Sequence, residues 1–205
     1  YVSREGVTGV RDQVAGNINC PLSVAAAAVF YVFRCLMPSS APACAGLFRP
    51  IHIRAPKGCL VNALRPAAVA AGNVETSTRI ADVVLGALAQ ALPGRIPAAS
   101  HGSMNNVAMG SAGGDAGGSW DYYETIGGGM GASAKGPGQS AVQTHMTNTR
   151  NTPVESLEMH FPLRILRYQL HRSSGGSGRY SGGDGLLREF QLLAATSVTL
   201  LTERR

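Results

Sequence analysis

The chain has 205 residues, 44% hydrophobic and 15% charged, with net charge +6 and pI near 9.5. That balance excludes a disordered polymer and leaves room for one or two domains with a sizeable core. It also argues against a nucleic-acid protein: Arg34, Arg49, Arg54, Arg65, Arg79 and Arg95 are spread singly, with no lysine run and no aromatic-plus-basic alternation to stack bases.

In chain order, YVSREG opens without an initiator Met, a basic leader or a signal-type apolar stretch, and LLTERR stops directly after an apolar run. Both ends read as cuts through a larger protein. PLSVAAAAVFYVFRCLM (21–37) is apolar nearly all round and is bounded by Pro21 and Pro38, which predicts a buried core helix. Its length falls short of a bilayer core and Arg34 sits inside it, so a membrane span is disfavoured. FRPIHIRAP (48–56) alternates Phe48, Ile51 and Ile53 with polar residues and predicts a short strand. NVETSTRIADVVLGALAQALPGRIP (73–97) predicts an amphipathic helix whose apolar face is Ile80, Val83, Val84, Ala87, Leu88 and Ala91. Cys20, Cys35, Cys44 and Cys59 form no C-x-x-C pair, which disfavours zinc, and they read as reduced thiols of a cytoplasmic protein. Cys35 reads as a small hydrophobe within its helix.

From about Ser100 the texture changes to glycine and small residues around WDYYETI, predicting strands joined by glycine turns. FPLRILRYQL, LLREFQLL and TSVTLL add three more strands. The fold class expected is α+β, helix-rich over 1–99 and strand-rich over 100–205. GGGMGASAKG lacks the GK[ST] of a Walker loop, and SSGGSGRYSGGDG reads as a turn between strands, so ATP binding by this chain alone is disfavoured.

QTHMTNTRNTPVESLE (143–158) gathers four threonines, two asparagines, a histidine and two glutamates. Such neutral hydrogen-bonding density suits a polar, uncharged ligand. Thr152-Pro153-Val154-Glu155 fits a capping box, with Thr152 as N-cap and Glu155 reaching back, so Glu155 has a structural explanation. The candidate catalytic residues are His145 as general acid–base, Asn148 as a donor to developing oxygen charge, and Thr147 beside them. Tyr122, Glu124 and Asn151 are the candidate substrate-binding residues, with Glu158 behind them. No two histidines have local ligand spacing, and no metal ligand is assigned.

DYYETIGGGMGA, THMTNTRNTPVESLE, SGGSGRYSGGDGLLRE and SVTLLTERR together resemble the hydantoinase B/oxoprolinase family. GNINCPLSV, FRPIHIRAPKG and GNVETSTRIADVVLGALAQALPGRIPAASHGSMNN agree, so the resemblance runs over essentially the whole chain as the C-terminal part of that domain. NTPVESLE looks more like the bacterial N-methylhydantoinase B branch than the eukaryotic oxoprolinase branch. The resemblance implies an ATP-dependent hydrolase that opens a cyclic amide, hydantoin or 5-oxoproline, as one component of a hetero-oligomer. ATP is then bound by a partner A-type ATPase subunit, which phosphorylates the amide oxygen, and the B part completes ring opening with water. Where relatives carry a divalent metal, its ligands lie upstream of this chain. His101 stands where the family pattern has a smaller or amide residue, so no family role passes to it. The competing readings are the related subunit of acetone or acetophenone carboxylases and a non-catalytic module that docks the ATPase.

Overall fold

The computed structural model describes residues 2–3, 6–7, 9–113 and 118–202 and divides the chain into two compact units, Tyr1–Ile96 and Pro97–Arg205. The first unit opens with a small hairpin of β1 (Val2–Ser3) and β2 (Gly6–Val7). Its body is two helices, α1 (Leu22–Leu36) and α2 (Ser77–Ala91). The expected all-round burial of α1 does not occur. Only Ala25, Ala28 and Val32 are buried, because an alanine stripe lets a second helix approach closely on one side only. Cys35 lies outside that stripe and is exposed.

The face of α2 also differs from the one its periodicity predicts. Ser77, Thr78, Ala81 and Leu85 are buried, Val84 and Leu88 pack at the margin, and Val83 is 65% exposed. Small residues turn inward because the Ser77 and Thr78 hydroxyls satisfy themselves on the carbonyls of Asn73 and Val74, at 2.8 and 3.2 Å. A π-helical turn, Gly72–Thr76, precedes the α-helix and carries the buried Glu75. The strand expected at 48–56 is absent. Ala45–Phe48 is a 3-10 turn, and residues 51–56 run without ladder partners, although Ile51 and Ile53 are half-buried and His52 and Arg54 exposed. Pro50 and Pro56 remove two ladder donors, so the alternation survives as burial without pairing.

In the second unit, β3 (Asn106–Ser111), β4 (Trp120–Thr125) and β7 (Ser197–Leu201) form an antiparallel sheet in the order β4-β3-β7. A second antiparallel pair joins β5 (Leu163–His171) to β6 (Gly185–Leu192). Between them runs a short helix, α3 (Val154–His160). Helices in the first half and strands in the second make the chain α+β. The core of this unit comprises Val107, Met109, Tyr122, Leu157 and Leu163, with Phe161, Ile165 and Phe190 packed against it. The Phe161 ring lies 5.1 Å from that of Tyr122 and 5.6 Å from that of Trp120, within aromatic pairing range.

The alternation of β5 works only because of a bulge. Ile165 pairs with Phe190 but Arg167 pairs with Glu189, so Leu166 is an extra residue, 55% exposed. Strict alternation would put Arg167 on the face of Leu163 and Ile165. The bulge instead turns Arg167 outward, where its side chain meets Glu189 at 3.5 Å, and brings Tyr168 beside Arg188.

Candidate functional site

The polar stretch 143–152 covers the outer edge of β4. Ile126 N donates to Asn105 O at 2.7 Å, so the backbone groups of these residues face each other. Alternation then turns the Thr125 carbonyl away from β3. Gln143 Nε2 donates to that carbonyl at 3.2 Å, the Thr125 and Thr149 hydroxyls meet at 2.6 Å, and Thr152 N donates to Glu124 Oε1 at 2.9 Å. Side chains thus serve an edge that a strand would otherwise pair.

The capping box does not form. Pro153 is the N-cap of α3 and no side chain caps the helix. The N-cap falls one residue after Thr152, whose amide is held by Glu124 and whose hydroxyl lies 3.3 Å from Tyr122 Oη. A carboxylate from the neighbouring strand has taken the part expected of Glu155.

Glu124 is the hub of a buried network. Its Oε2 accepts from Tyr122 Oη at 2.5 Å and from Arg188 Nη1, and Arg188 Nη2 reaches Thr152 O at 3.5 Å. The Arg188 guanidinium lies over the rings of Tyr168 and Phe190, at 4.7 and 5.2 Å. Asn151 Nδ2 donates to Tyr168 Oη. Burial, followed by the hydrogen bond to Glu124, pushes the Tyr122 phenol up to about 12. The three expected substrate-binding residues, Tyr122, Glu124 and Asn151, are therefore joined through Arg188, which the sequence reading did not single out. The signal was available: in Leu186, Arg188, Phe190 and Leu192 an arginine takes one of the alternate positions that face the core.

The expected catalytic residues lie further along the same stretch. Thr147 is buried, with Oγ1 donating to Thr144 O at 2.7 Å, Asn148 is exposed, and His145 is half-buried. His145 has φ +52°, in the left-handed region that side chains other than glycine seldom enter.

A cavity of about 1270 Å³ opens in the second unit. One wall is apolar, with Val107, Met109, Phe190, Leu192, Val198 and Leu200, and another is the backbone of residues 127–131 and 174–183. His101, His171, Asn105, Asn106, Arg179 and Arg188 are among its polar lining residues, and none of the six sequence-predicted residues lines it. Its glycine wall is interleaved: a Cβ on Gly129 would lie 1.9 Å from Gly183 O, and one on Gly128 would lie 2.4 Å from the His101 ring. His101 is fixed there, its backbone N donating to Gly129 O at 2.9 Å. Backbone carbonyls and amides, two histidines and two arginines suit a polar organic ligand. Among the described residues, no group of three or more His, Cys, Asp or Glu could hold a metal ion, and no helix is long and apolar enough to cross a membrane.

Residues 6–205 match the family model described as hydantoinase B/oxoprolinase. The chain is 43% identical over 198 residues to 5-oxoprolinase 1 of Arabidopsis thaliana, covering 97% of this chain and 15% of that protein. It is 34% identical over 201 residues to the B-type subunit of a putative D-/L-hydantoinase of a Pseudomonas species, covering 95% and 33%. Among solved structures it resembles the ATP-dependent caprolactamase of Pseudomonas jessenii, with TM-score 0.75 and 29% identity over 91% of this chain and 33% of that one. The chain thus spans a third or less of each of these proteins. Identity is higher to the plant oxoprolinase than to the bacterial hydantoinase, which the NTPVESLE likeness alone would not suggest.

Proposed function

Because the chain belongs to the hydantoinase B/oxoprolinase family, we propose that it is part of the B component of an ATP-dependent hydrolase that opens cyclic amides. Oxoproline, hydantoin and caprolactam, named in the three relatives, are all rings closed by an amide. The observation that carries the reading is the cavity of the second unit, whose neutral backbone wall offers donors and acceptors to an uncharged ring and whose apolar wall accommodates its methylenes.

In this reading an A-type ATPase partner binds ATP and activates the amide oxygen. Water adds to the ring carbon and the C–N bond opens. For His145 to take the proton of the water and Asn148 to donate to the oxygen as charge develops, the turn that Thr147 holds has to meet the ring in the complete enzyme, since none of the three lines the cavity in this chain. Tyr122, Glu124 and Asn151, bound together by Arg188, fix that stretch against the strands, and Arg188 also borders the cavity. A divalent metal, where the enzyme uses one, takes its ligands from outside these 205 residues. Four free thiols and dependence on ATP support a cytoplasmic location for the enzyme.

The test is turnover by the complete two-component enzyme, with hydantoin, 5-oxoproline and caprolactam each supplied with ATP. Ring-opened acid and ADP should appear in step, and the 205-residue chain alone should open none of the three. No ring opening by the complete enzyme, with a ketone carboxylated instead, would overturn the reading. A chain that binds the ATPase while the cavity can be filled without loss of turnover would leave it a docking module.

A further inference from the structure

The two edges of the three-stranded sheet are finished differently. The β4 edge is covered by residues 143–152, where Gln143 reaches the outward Thr125 carbonyl and Thr149 the Thr125 hydroxyl. The β7 edge has no such cover among the described residues. Since the backbone groups of Asn105 face β4, those of Asn106, Ala108 and Gly110 face β7, where they meet Leu201, Thr199 and Ser197. Val198 and Leu200 therefore turn their N–H and C=O groups to the open edge. The same two residues have apolar side chains 48% and 66% exposed.

Thr196 to Thr202 contains no charge, proline or glycine, the usual guards of a free edge. Unpaired backbone groups and exposed apolar side chains coincide on alternate residues of one strand, which is the arrangement that accepts another strand. Val198 and Leu200 also line the cavity, so whatever pairs with β7 extends the cavity wall.

We propose that the β7 edge pairs with a strand from the remainder of the same B-type polypeptide. That remainder is substantial, since the chain matches only 33% of the Pseudomonas hydantoinase relative. A second copy is a poorer occupant, because a five-residue edge is far smaller than the roughly 20–30 residues a side of a stable interface. The incoming strand carries apolar residues at alternate positions, to meet Val198 and Leu200 on the cavity side. This inference does not depend on the reaction assigned above.

Hydrogen exchange decides it, measured on the 205-residue chain and on a longer polypeptide that carries it together with the remainder found in the hydantoinase relative. In the short chain the amides of Val198 and Leu200 should exchange fast, and those of Thr199 and Leu201 slowly. In the longer polypeptide Val198 and Leu200 should slow by at least a hundredfold at every concentration, with the molar mass of a single copy. Leu200→Pro removes one outward N–H, so it should leave the short chain folded and lower the protection of Val198 in the longer one. Unprotected amides in the longer polypeptide would overturn the proposal. So would protection that appears only as the molar mass doubles, which would assign the edge to a second copy.

Discussion

Arg188 on β6 and Glu124 on β4 form an ion pair across the core of the second unit, with side chains only 3% and 4% exposed. Both are held by further contacts, Glu124 by Tyr122 and Thr152 and Arg188 by the Thr152 carbonyl and two aromatic faces. Removing one partner leaves a buried charge uncompensated. Arg188→Ala or Glu124→Ala should each cost about 3–5 kcal/mol in urea unfolding, and the double variant should cost less than the sum. Additive losses would mean that the two charges are independent.

Thr152→Ala removes a hydroxyl whose contact with Tyr122 Oη is long, at 3.3 Å. Its backbone amide keeps Glu124, so the loss should stay below about 0.5 kcal/mol, short of the roughly 1 kcal/mol typical of an N-cap. A full 1 kcal/mol loss in the melting curve would restore Thr152 to the capping role.

His145 allows its ring and its backbone to be tested apart. Its φ of +52° suits glycine, so His145→Ala should be less stable than His145→Gly by about 1 kcal/mol. In the complete enzyme both should lose turnover alike, by roughly 10²–10⁴-fold, if the ring moves a proton. Loss of turnover in the alanine variant alone would make His145 a backbone element.

Tyr122 predicts an alkaline weakness. Its phenol rises from 10 in the unfolded chain to about 12 in the fold, so the folded state keeps a proton that the unfolded state gives up. Stability from this group is intact below pH 10 and lost as pH climbs toward about 12. Between those limits the unfolding free energy of the parent should fall more steeply with pH than that of Tyr122→Phe. Parallel slopes would show that the phenol does not titrate differently in the two states.

Gly129 and Gly136 provide a matched pair. A Cβ at Gly129 would overlap the Gly183 carbonyl at 1.9 Å, whereas one at Gly136 meets nothing within 4 Å. Gly129→Ala should cost about 1–3 kcal/mol or prevent folding, and Gly136→Ala should melt like the parent. Equal melting of the two variants would show that the glycine wall is loosely packed.

Periodicity found the elements that pack against one another. WDYYETI, FPLRILRYQL, LLREFQLL and TSVTLL all became strands, and the two helical stretches became helices. It misplaced what depends on hydrogen bonds rather than on apolar spacing. The face of α2 is set by hydroxyls that bond back to their own helix, which a count of apolar residues passes over. FRPIHIRAP has the alternation of a strand, but its prolines withhold the donors that a ladder needs. Residues 143–152 announced their polarity without announcing its object, since only the fold shows Thr125 and Glu124 waiting at the edge of β4. Arg188 was legible only as an arginine in phase with Leu186, Phe190 and Leu192, and its partner Glu124 lies 64 residues away.

The interleaved glycines have a consequence for how this cavity can change. A wall made of main chain presents nearly the same carbonyls and amides whatever side chains surround it, and its closest crossings admit no side chain at all. Variation among descendants of this sequence is thereby steered to the apolar wall, where Leu186, Leu192 and Val198 can be enlarged or trimmed without touching the backbone lattice. One side of the cavity is held constant by geometry and the other is free to follow the size of the ligand, so a library built to alter substrate range belongs on β6 and β7.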